Sequence, residues 1–198
     1  MELILASNNP GKLREMRAIL TEMGHEVRSQ REAGLDFVAE ETGDTFLANA
    51  RIKAQAVVDA TGRAAIADDS GLVVEALGGA PGVDSANYGG VACQTDRDRL
   101  LHLLQNMERE TDRRAVFVST IVCMFPDGTS IEAEGRIAGE LLREPRGVGG
   151  FGYDPIFFVP ELGMSFAEVE PEIKNSVSHR GRALAQFKEK WERYHADK

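Results

Sequence analysis

Two adjacent carboxylates, Asp68 and Asp69, directly follow a short apolar run at residues 64–67. Because successive residues of a strand point to opposite faces, an extended backbone here would aim one carboxylate into a site and hold the other beneath it. Two buried carboxylates are costly unless they are paired, and a divalent cation would relieve their repulsion. An Asp-Ser-Gly sequence, here with Ser70, is also favoured in a solvated turn. Apolar residues on both sides argue against simple exposure, so the pattern predicts acid–base or metal chemistry.

A second acidic pair, Glu40 and Glu41, precedes a predicted helix at about residues 44–60. Lys53 lies on that helix. Glutamate and lysine side chains are usually exposed. These three side chains therefore gain a functional role only if the fold brings them to the two aspartates.

The segment before the first predicted helix consists of Ser7, Asn8, Asn9, Pro10, Gly11 and Lys12. The free N–H groups and the positive dipole end of a helix N-terminus bind anions, and Lys12 would add a full charge. The segment is not a P-loop, because Ala6 stands where that motif has its first glycine and Leu13 stands where it has Ser or Thr. It is suited to a phosphate group, and a capped helix with a surface lysine is the alternative.

A glycine-rich segment at residues 147–154 satisfies the pattern G-x-G-x-x-G. We reject a dinucleotide-binding motif, because that motif must open a helix and the residues after Asp154 are typical of an extended chain. Gly152 allows a close approach of the backbone, and Phe151 and Tyr153 are suited to stacking on a base. The alternative is a tight loop with two core aromatic residues.

Three basic side chains, Lys174, His179 and Arg180, lie close together near the end of an acidic chain. Arginine offers a planar fork to a base carbonyl or a phosphate, and histidine can donate or accept a hydrogen bond. We predict that this segment contacts a substrate.

Local patterns predict a mixed α/β fold. The predicted helices lie at about residues 13–23, 44–60, 95–107 and 180–194, and the predicted strands at about residues 3–6, 64–67, 115–124, 130–137 and 155–159. Thr42 or Asp44 is the expected N-cap of the second helix. Thr95 and Asp98 resemble a capping box for the third helix, and residues 126–129 form a predicted hairpin turn.

The composition is that of one globular domain, residues 1–198. Hydrophobic residues make up 42% and charged residues 28%, which are ordinary values. The formal net charge of −9 argues against a sequence-independent grip on nucleic acid, but not against a small phosphorylated substrate. There is no basic leader and no apolar run of about 18 residues, so we expect a soluble, cytoplasmic protein without membrane contact.

Six motifs occur in order along nearly the whole chain, at residues 6–12, 41–46, 67–72, 78–83, 149–155 and 178–180. Together they resemble the inosine/xanthosine triphosphate pyrophosphatase family. The resemblance implies a mixed, strongly twisted sheet flanked by helices, with two lobes around a central cleft, and usually a homodimer. It also implies Mg²⁺-dependent hydrolysis of ITP, dITP and XTP to the monophosphate and pyrophosphate, which keeps deaminated purines out of DNA and RNA.

By the same resemblance, Asp69 is the proton acceptor, and Lys53 and Asp68 are further catalytic residues. Glu41 and Asp69 would hold magnesium, with Glu40 as a neighbouring metal-site residue. The implied substrate-binding residues are Ser7, Asn8, Asn9, Pro10, Gly11, Lys12, Ser70, Phe151, Gly152, Tyr153, Asp154, Lys174, His179 and Arg180. The first six would cradle the triphosphate, and those from Phe151 onward would form a pocket for a 6-oxo base.

One position departs from the family pattern, because Asn87 stands where an arginine is common. A contact to the substrate or to a second subunit would lose a charge there. Two alternatives stay open: a Maf-type pyrophosphatase acting on modified pyrimidine nucleotides, and a non-catalytic nucleotide sensor. For an enzyme we expect an alkaline pH optimum, since the catalytic base must be ionised.

Overall fold

The structure is a computed structural model, which describes residues 1–196. The helices are α1 (Pro10–Glu22), α2 (Phe46–Thr61), α3 (Asp96–Asn106), α4 (Pro171–Val177) and α5 (His179–Ala196). The strands are β1 (Glu2–Leu5), β2 (Glu26–Ser29), β3 (Ala65–Val74), β4 (Arg114–Met124), β5 (Ser130–Leu141), β6 (Phe157–Val159) and β7 (Met164–Ser165). Within the described residues, no helix combines the length and apolarity needed to cross a bilayer.

The seven strands form one mixed sheet in the order β2-β1-β3-β4-β5-β6-β7. β1 runs parallel to both of its neighbours, pairing Leu3 with Val27 of β2 and Leu5 with Ile66 of β3. β6 runs antiparallel to β5 and to β7. The predicted mixed α/β class is therefore confirmed, and β3, which carries both aspartates, is an interior strand.

The chain forms two compact units. The first contains Met1–Asp69, Ser119–Gly135 and the chain from His179 onward, and the second contains Ser70–Val118 and Arg136–Ser178. Each unit has its own apolar core. Leu20 and Phe187 lie in a core of the first unit, and Leu103 lies in the core of the second. Burial of such side chains is the main force that holds each unit together.

Most local predictions are confirmed, with one correction at a helix start. Thr95 and Asp98 form the predicted capping box of α3. The predicted caps of α2, Thr42 and Asp44, are wrong, because Thr45 is the N-cap and its Oγ1 accepts the N–H of Ala48 at 3.1 Å. A residue has to stand directly before the first turn to reach these N–H groups.

The predictions lack three short elements, β2, β7 and α4, and the second half of β3. β2 has four residues, of which Val27 alone is apolar, β7 has two residues and α4 has seven, so none shows a usable period. β3 continues through Asp68 and Asp69 to Val74 instead of stopping before them. A strand paired on both sides can carry polar residues that have partners.

His25 is buried in the first unit between the aromatic rings of α5 and the chain start. Its ring centroid lies 4.5 Å from that of Trp191, and neither ring nitrogen has a hydrogen-bond partner within residues 1–196. Burial, the N-terminal ammonium and His195 lower the pKa of His25 below its ordinary 6.5.

We therefore expect the neutral His25 ring to make folding sensitive to acid. A base with a lowered pKa in the folded state costs stability as the pH falls below 6.5, because the unfolded chain takes the proton more readily. The melting temperature should fall between pH 7 and pH 5 more for the wild type than for His25→Phe. Circular dichroism melts measure this, with His102→Gln as the control that keeps the wild-type slope. Equal slopes for the wild type and His25→Phe would contradict the expectation.

Candidate active site

Asp68 is the centre of a buried cluster of charges in the first unit. Its side chain is 1% exposed, and its Oδ2 lies 3.0 Å from both Lys12 Nζ and Arg180 Nη2. Ser119 donates a hydrogen bond to its Oδ1 at 2.5 Å. Burial opposes ionisation, but the charges of Arg180 and Lys12 and the Ser119 hydrogen bond outweigh it and hold the pKa of Asp68 well below its usual range. Asp68 is therefore a fixed carboxylate.

Arg180 connects α5 to two other elements through its guanidinium group. Its Nη1 pairs with Glu15 of α1, and its Nη2 pairs with Asp68 of β3. Burial would lower its pKa, but the two carboxylates raise it. Since both ends of the fork contact carboxylates, Arg180 lies within this cluster, although the sequence predicted it in a pocket for the base.

Asp69 lies next to Asp68 but has different partners, as the alternation of strand side chains predicts. Its Oδ1 accepts a hydrogen bond from Lys53 Nζ at 2.6 Å. Its Oδ2 is buried and has no hydrogen-bond partner among residues 1–196. Burial raises the pKa of Asp69 to about 6, against the opposing effect of Lys53. Above that pH, Asp69 presents an ionised oxygen with no protein donor.

Lys53 joins Asp69 to the loop before α2. Its Nζ lies 2.6 Å from Asp69 Oδ1 and 3.1 Å from Glu41 Oε2. Burial lowers its pKa, but Asp69 and Glu41 reverse that effect, and the pKa of Lys53 lies above its ordinary value. Glu40 is exposed. Of the two predicted glutamates, Glu41 is joined to Asp69 through Lys53.

The acidic residues fit a magnesium ion of the kind that accompanies a polyphosphate. Within residues 1–196, no three acidic, histidine or cysteine side chains form a ready-made metal cage. Mg²⁺ does not require one, because it keeps several waters and is held by one or two carboxylates together with substrate phosphates. The unpaired Oδ2 of Asp69 and the half-exposed carboxylate of Glu41 supply that number.

The start of α1 brings Lys12 to the same cluster. Lys12 Nζ donates to the backbone oxygen of Asp68 at 3.2 Å, and burial lowers the pKa of Lys12 although Asp68 opposes this. Asn9 Oδ1 accepts the N–H groups of Gly11 and Lys12 at 2.9 and 3.1 Å. A phosphate at this helix end would therefore compete with the side chain of Asn9. Ser7 Oγ in turn accepts the Asn9 N–H at 3.2 Å.

A second group of predicted residues lies in the second unit. Asp154 Oδ2 accepts the Phe151 N–H at 2.8 Å and the Lys174 ammonium at 2.6 Å. Lys174 is 4% exposed, and its Nζ lies 4.9 Å from the ring centre of Phe151 and 5.6 Å from that of Phe166. The buried ion pair thus fixes the backbone and the ring of Phe151.

Tyr153 is a core residue and not a stacking surface. Its ring is buried in the core of the second unit, and its hydroxyl donates to the Ser85 backbone oxygen at 2.8 Å. Phe151 is partly buried. It is therefore the less buried of the two aromatic residues predicted to stack. Gly152, beside them, donates its N–H to Asp96 at 3.0 Å.

The remaining predicted residues divide between the units. Ser7 to Lys12, His179 and Arg180 belong to the first unit, and Ser70 and Lys174 belong to the second. His179 is buried at the start of α5, and Asn87 is exposed in a turn. Sequence reasoning missed Glu15, Ser119 and Phe166. Only Glu15 had a signal, since it lies one helical turn after Lys12 and so shares its face.

The fold and the charged cluster define the class: a mixed α/β protein with paired carboxylates and lysines suited to a polyphosphate. Residues 3–190 match the model of the Ham1 family. The chain is 51% identical to a dITP/XTP pyrophosphatase of Nostoc sp. over 92% of this chain and 90% of the relative. It is 50% identical to a dITP/XTP pyrophosphatase of Thermus thermophilus over 93% and 88%. The solved Ham1 protein of Staphylococcus aureus superposes with a TM-score of 0.86, at 40% identity over 97% of this chain and 98% of that one. The chain therefore belongs to the Ham1 family.

Proposed function

We propose that this protein hydrolyses deaminated purine nucleoside triphosphates, namely ITP, dITP and XTP, to the monophosphate and pyrophosphate. This reaction would keep such nucleotides out of DNA and RNA. The observation that carries the proposal is the pair of adjacent carboxylates. Asp68 is held ionised by cations, whereas Asp69 has a raised pKa and a buried oxygen without a hydrogen-bond partner among residues 1–196. The names of the two curated relatives support the same substrates.

The charged side chains around Asp68 and Asp69 have separate roles in this reaction. Lys12 and the start of α1 bind the phosphates, and Lys53 stabilises the charge that develops on them. Asp69 accepts the proton from the water that attacks the α-phosphorus, or orients that water. Asp68 keeps Lys12 in place. Magnesium, held by Asp69 and Glu41, would neutralise phosphate charge.

We assign the contacts to the base to Phe151 and its neighbours on the basis of their residue types. Phe151 is suited to stacking on a purine, and the buried Lys174–Asp154 ion pair holds its ring in place. A 6-oxo purine accepts hydrogen bonds at its sixth position, whereas adenine presents an amino donor there. A site that hydrogen-bonds one group can reject its mismatch by several orders of magnitude, because the mismatch leaves buried polar groups unpaired.

Three further parts of the proposal concern the whole chain. Residues 1–198 act as a single catalytic domain, the protein is cytoplasmic and it works as a homodimer without binding nucleic acid. The net charge of −9 supports the last point, because nucleic acid would be repelled.

The proposal is tested by pyrophosphate release from a panel of nucleotides in magnesium. We expect release from ITP, dITP and XTP to exceed release from ATP and GTP by about 10²-fold or more. Turnover of modified pyrimidine triphosphates with none of ITP would establish the Maf-type alternative. Tight binding of ITP without turnover would establish the sensor. An assay without magnesium, then with calcium in its place, tests the metal requirement.

A further inference from the structure

Glu41 lies against Lys53 although its side chain is 40% exposed. The lysine end of this ion pair is buried, since the Lys53 side chain is 12% exposed, but solvent at the glutamate end weakens the attraction. Ordering a long glutamate also costs rotamer entropy. The pair alone therefore does not hold the loop before α2. The backbone of that loop must be placed by another contact if Glu41 is to stay beside Lys53.

Asn49 provides that contact. It is 3% exposed, and its Oδ1 accepts the N–H of Gly43 at 2.8 Å. Asn49 and Lys53 are four residues apart on α2, so they share a helix face. Gly43 is two residues after Glu41. One face of α2 thus carries both the anchor of the loop and the lysine that Glu41 contacts.

Gly43 shows that the loop lies tightly against the helix. A Cβ at this position would lie 2.6 Å from Ala48 Cβ and 2.8 Å from Asn49 Oδ1. Its φ lies outside the left-handed region, so glycine is needed here for the close approach and not for its backbone freedom. The hydrogen bond from Gly43 and its missing side chain hold the loop at the same point.

We propose that Asn49 is a positioning residue for the magnesium site. It holds the loop at residues 41–43 on α2, so that Glu41 and Asp69 converge on Lys53. Asn49 touches neither the nucleotide nor the metal. The inference rests on the proposed function, because it takes Glu41 and Asp69 as the carboxylates that hold the ion. Residues that orient metal ligands change metal affinity by about 10–100-fold when they are removed.

The test compares four variants with the wild type. Asn49→Ala removes the acceptor, Asn49→Asp keeps an acceptor oxygen, and Gly43→Ala displaces the loop while Asn49 is intact. Gln55→Ala is the matched control, since it removes an amide hydrogen bond on the same helix, to Asp59 at 2.6 Å. Two quantities are measured: the magnesium concentration for half-maximal turnover of ITP, and the affinity for Mn²⁺. The Mn²⁺ affinity is measured by electron paramagnetic resonance in the presence of a non-hydrolysable ITP analogue. In this analogue a methylene group bridges the α- and β-phosphorus atoms.

We expect Asn49→Ala and Gly43→Ala to weaken metal binding in both measurements by about tenfold or more. Asn49→Asp and Gln55→Ala should stay within about threefold of the wild type. A purely structural role would lower the melting temperature of Asn49→Ala and leave the metal constants of its folded fraction unchanged, which would overturn the inference. A shift in Gln55→Ala as large as that in Asn49→Ala would also overturn it.

Two further outcomes separate the inference from the proposed function. If Asn49→Ala does not fold, the test rests on Gly43→Ala. Wild-type metal affinity in Gly43→Ala would then overturn the inference. If the wild type hydrolyses no nucleotide, the proposed function fails, and the Mn²⁺ affinities of the variants still decide the role of Asn49. An active wild type with equal Mn²⁺ affinity in all variants overturns the role of Asn49 alone.

Discussion

Asp69→Asn is expected to lose turnover by about 10²–10⁴-fold and to gain stability at the same time. The loss follows because an amide cannot accept the proton and is a poor ligand for magnesium. The gain follows because the folded chain holds a carboxylate whose pKa is raised to about 6 from an ordinary 3.8. Removing its charge should raise the free energy of unfolding at pH 7 by about 1–3 kcal/mol. Pyrophosphate release and urea denaturation measure the two effects.

The pH dependence of this gain has a defined sign. A carboxylate with a raised pKa in the folded state costs nothing while it is protonated, and its cost grows as the pH rises from 3.8 to about 6. The difference in stability between Asp69→Asn and the wild type should therefore open over that window and be constant above it. Asp59→Asn, on the surface of α2, is the control with unchanged activity and stability. An active Asp69→Asn protein would move the catalytic centre toward Asp68 and Glu41.

Arg180→Met is expected to cause the largest loss of stability, about 3–5 kcal/mol. The reason is that Arg180 is 1% exposed and pairs with two carboxylates, so its loss removes a cation from both Glu15 and Asp68 in the interior. The stability of Arg180→Lys should lie between that of the wild type and that of Arg180→Met, because one ammonium cannot reproduce the planar fork of arginine. Urea denaturation measures the free energy of unfolding of each variant.

The control for this series is Arg193→Met on the same helix. Arg193 is 77% exposed and lies 3.8 Å from Glu189, so its loss should change stability by less than about 0.5 kcal/mol. The pKa of Asp68 is lowered in the folded state, so its ion pair contributes above pH 3.8 and is lost as the pH falls through the folded pKa. The difference in the free energy of unfolding between Arg180→Met and the wild type should therefore decrease only in strong acid. An Arg180→Met protein as stable as the wild type would contradict the buried pair.

The sequence predicted those parts of the fold and site that depend on neighbouring residues. The capping box from Thr95 to Asp98 spans only four positions, and the opposite environments of Asp68 and Asp69 follow from strand alternation. Both are confirmed. For Glu41 and Lys53 the sequence sets a condition, that the fold bring them to the aspartates, and Lys53 contacts both Asp69 and Glu41.

Contacts between distant residues could not be predicted in this way. Asp68 and Arg180 are 112 positions apart, and the pattern around Arg180 suggested a base pocket because arginine suits both partners. Tyr153 looked like a stacking residue from its type, whereas its exposure depends on the core that surrounds it. An aromatic ring satisfies either environment, so only packing distinguishes them.

The first compact unit is assembled from three separate stretches of chain, and its last stretch begins at His179. Arg180 must meet Glu15, 165 positions earlier, and Asp68, 112 positions earlier, before this buried cluster is complete. Closing loops of this length slows folding, because chain entropy is lost before the contact is gained. During synthesis the unit therefore cannot be completed until α5 has been translated. A chain truncated before α5 would keep Asp68 and lack the arginine that pairs with its buried carboxylate.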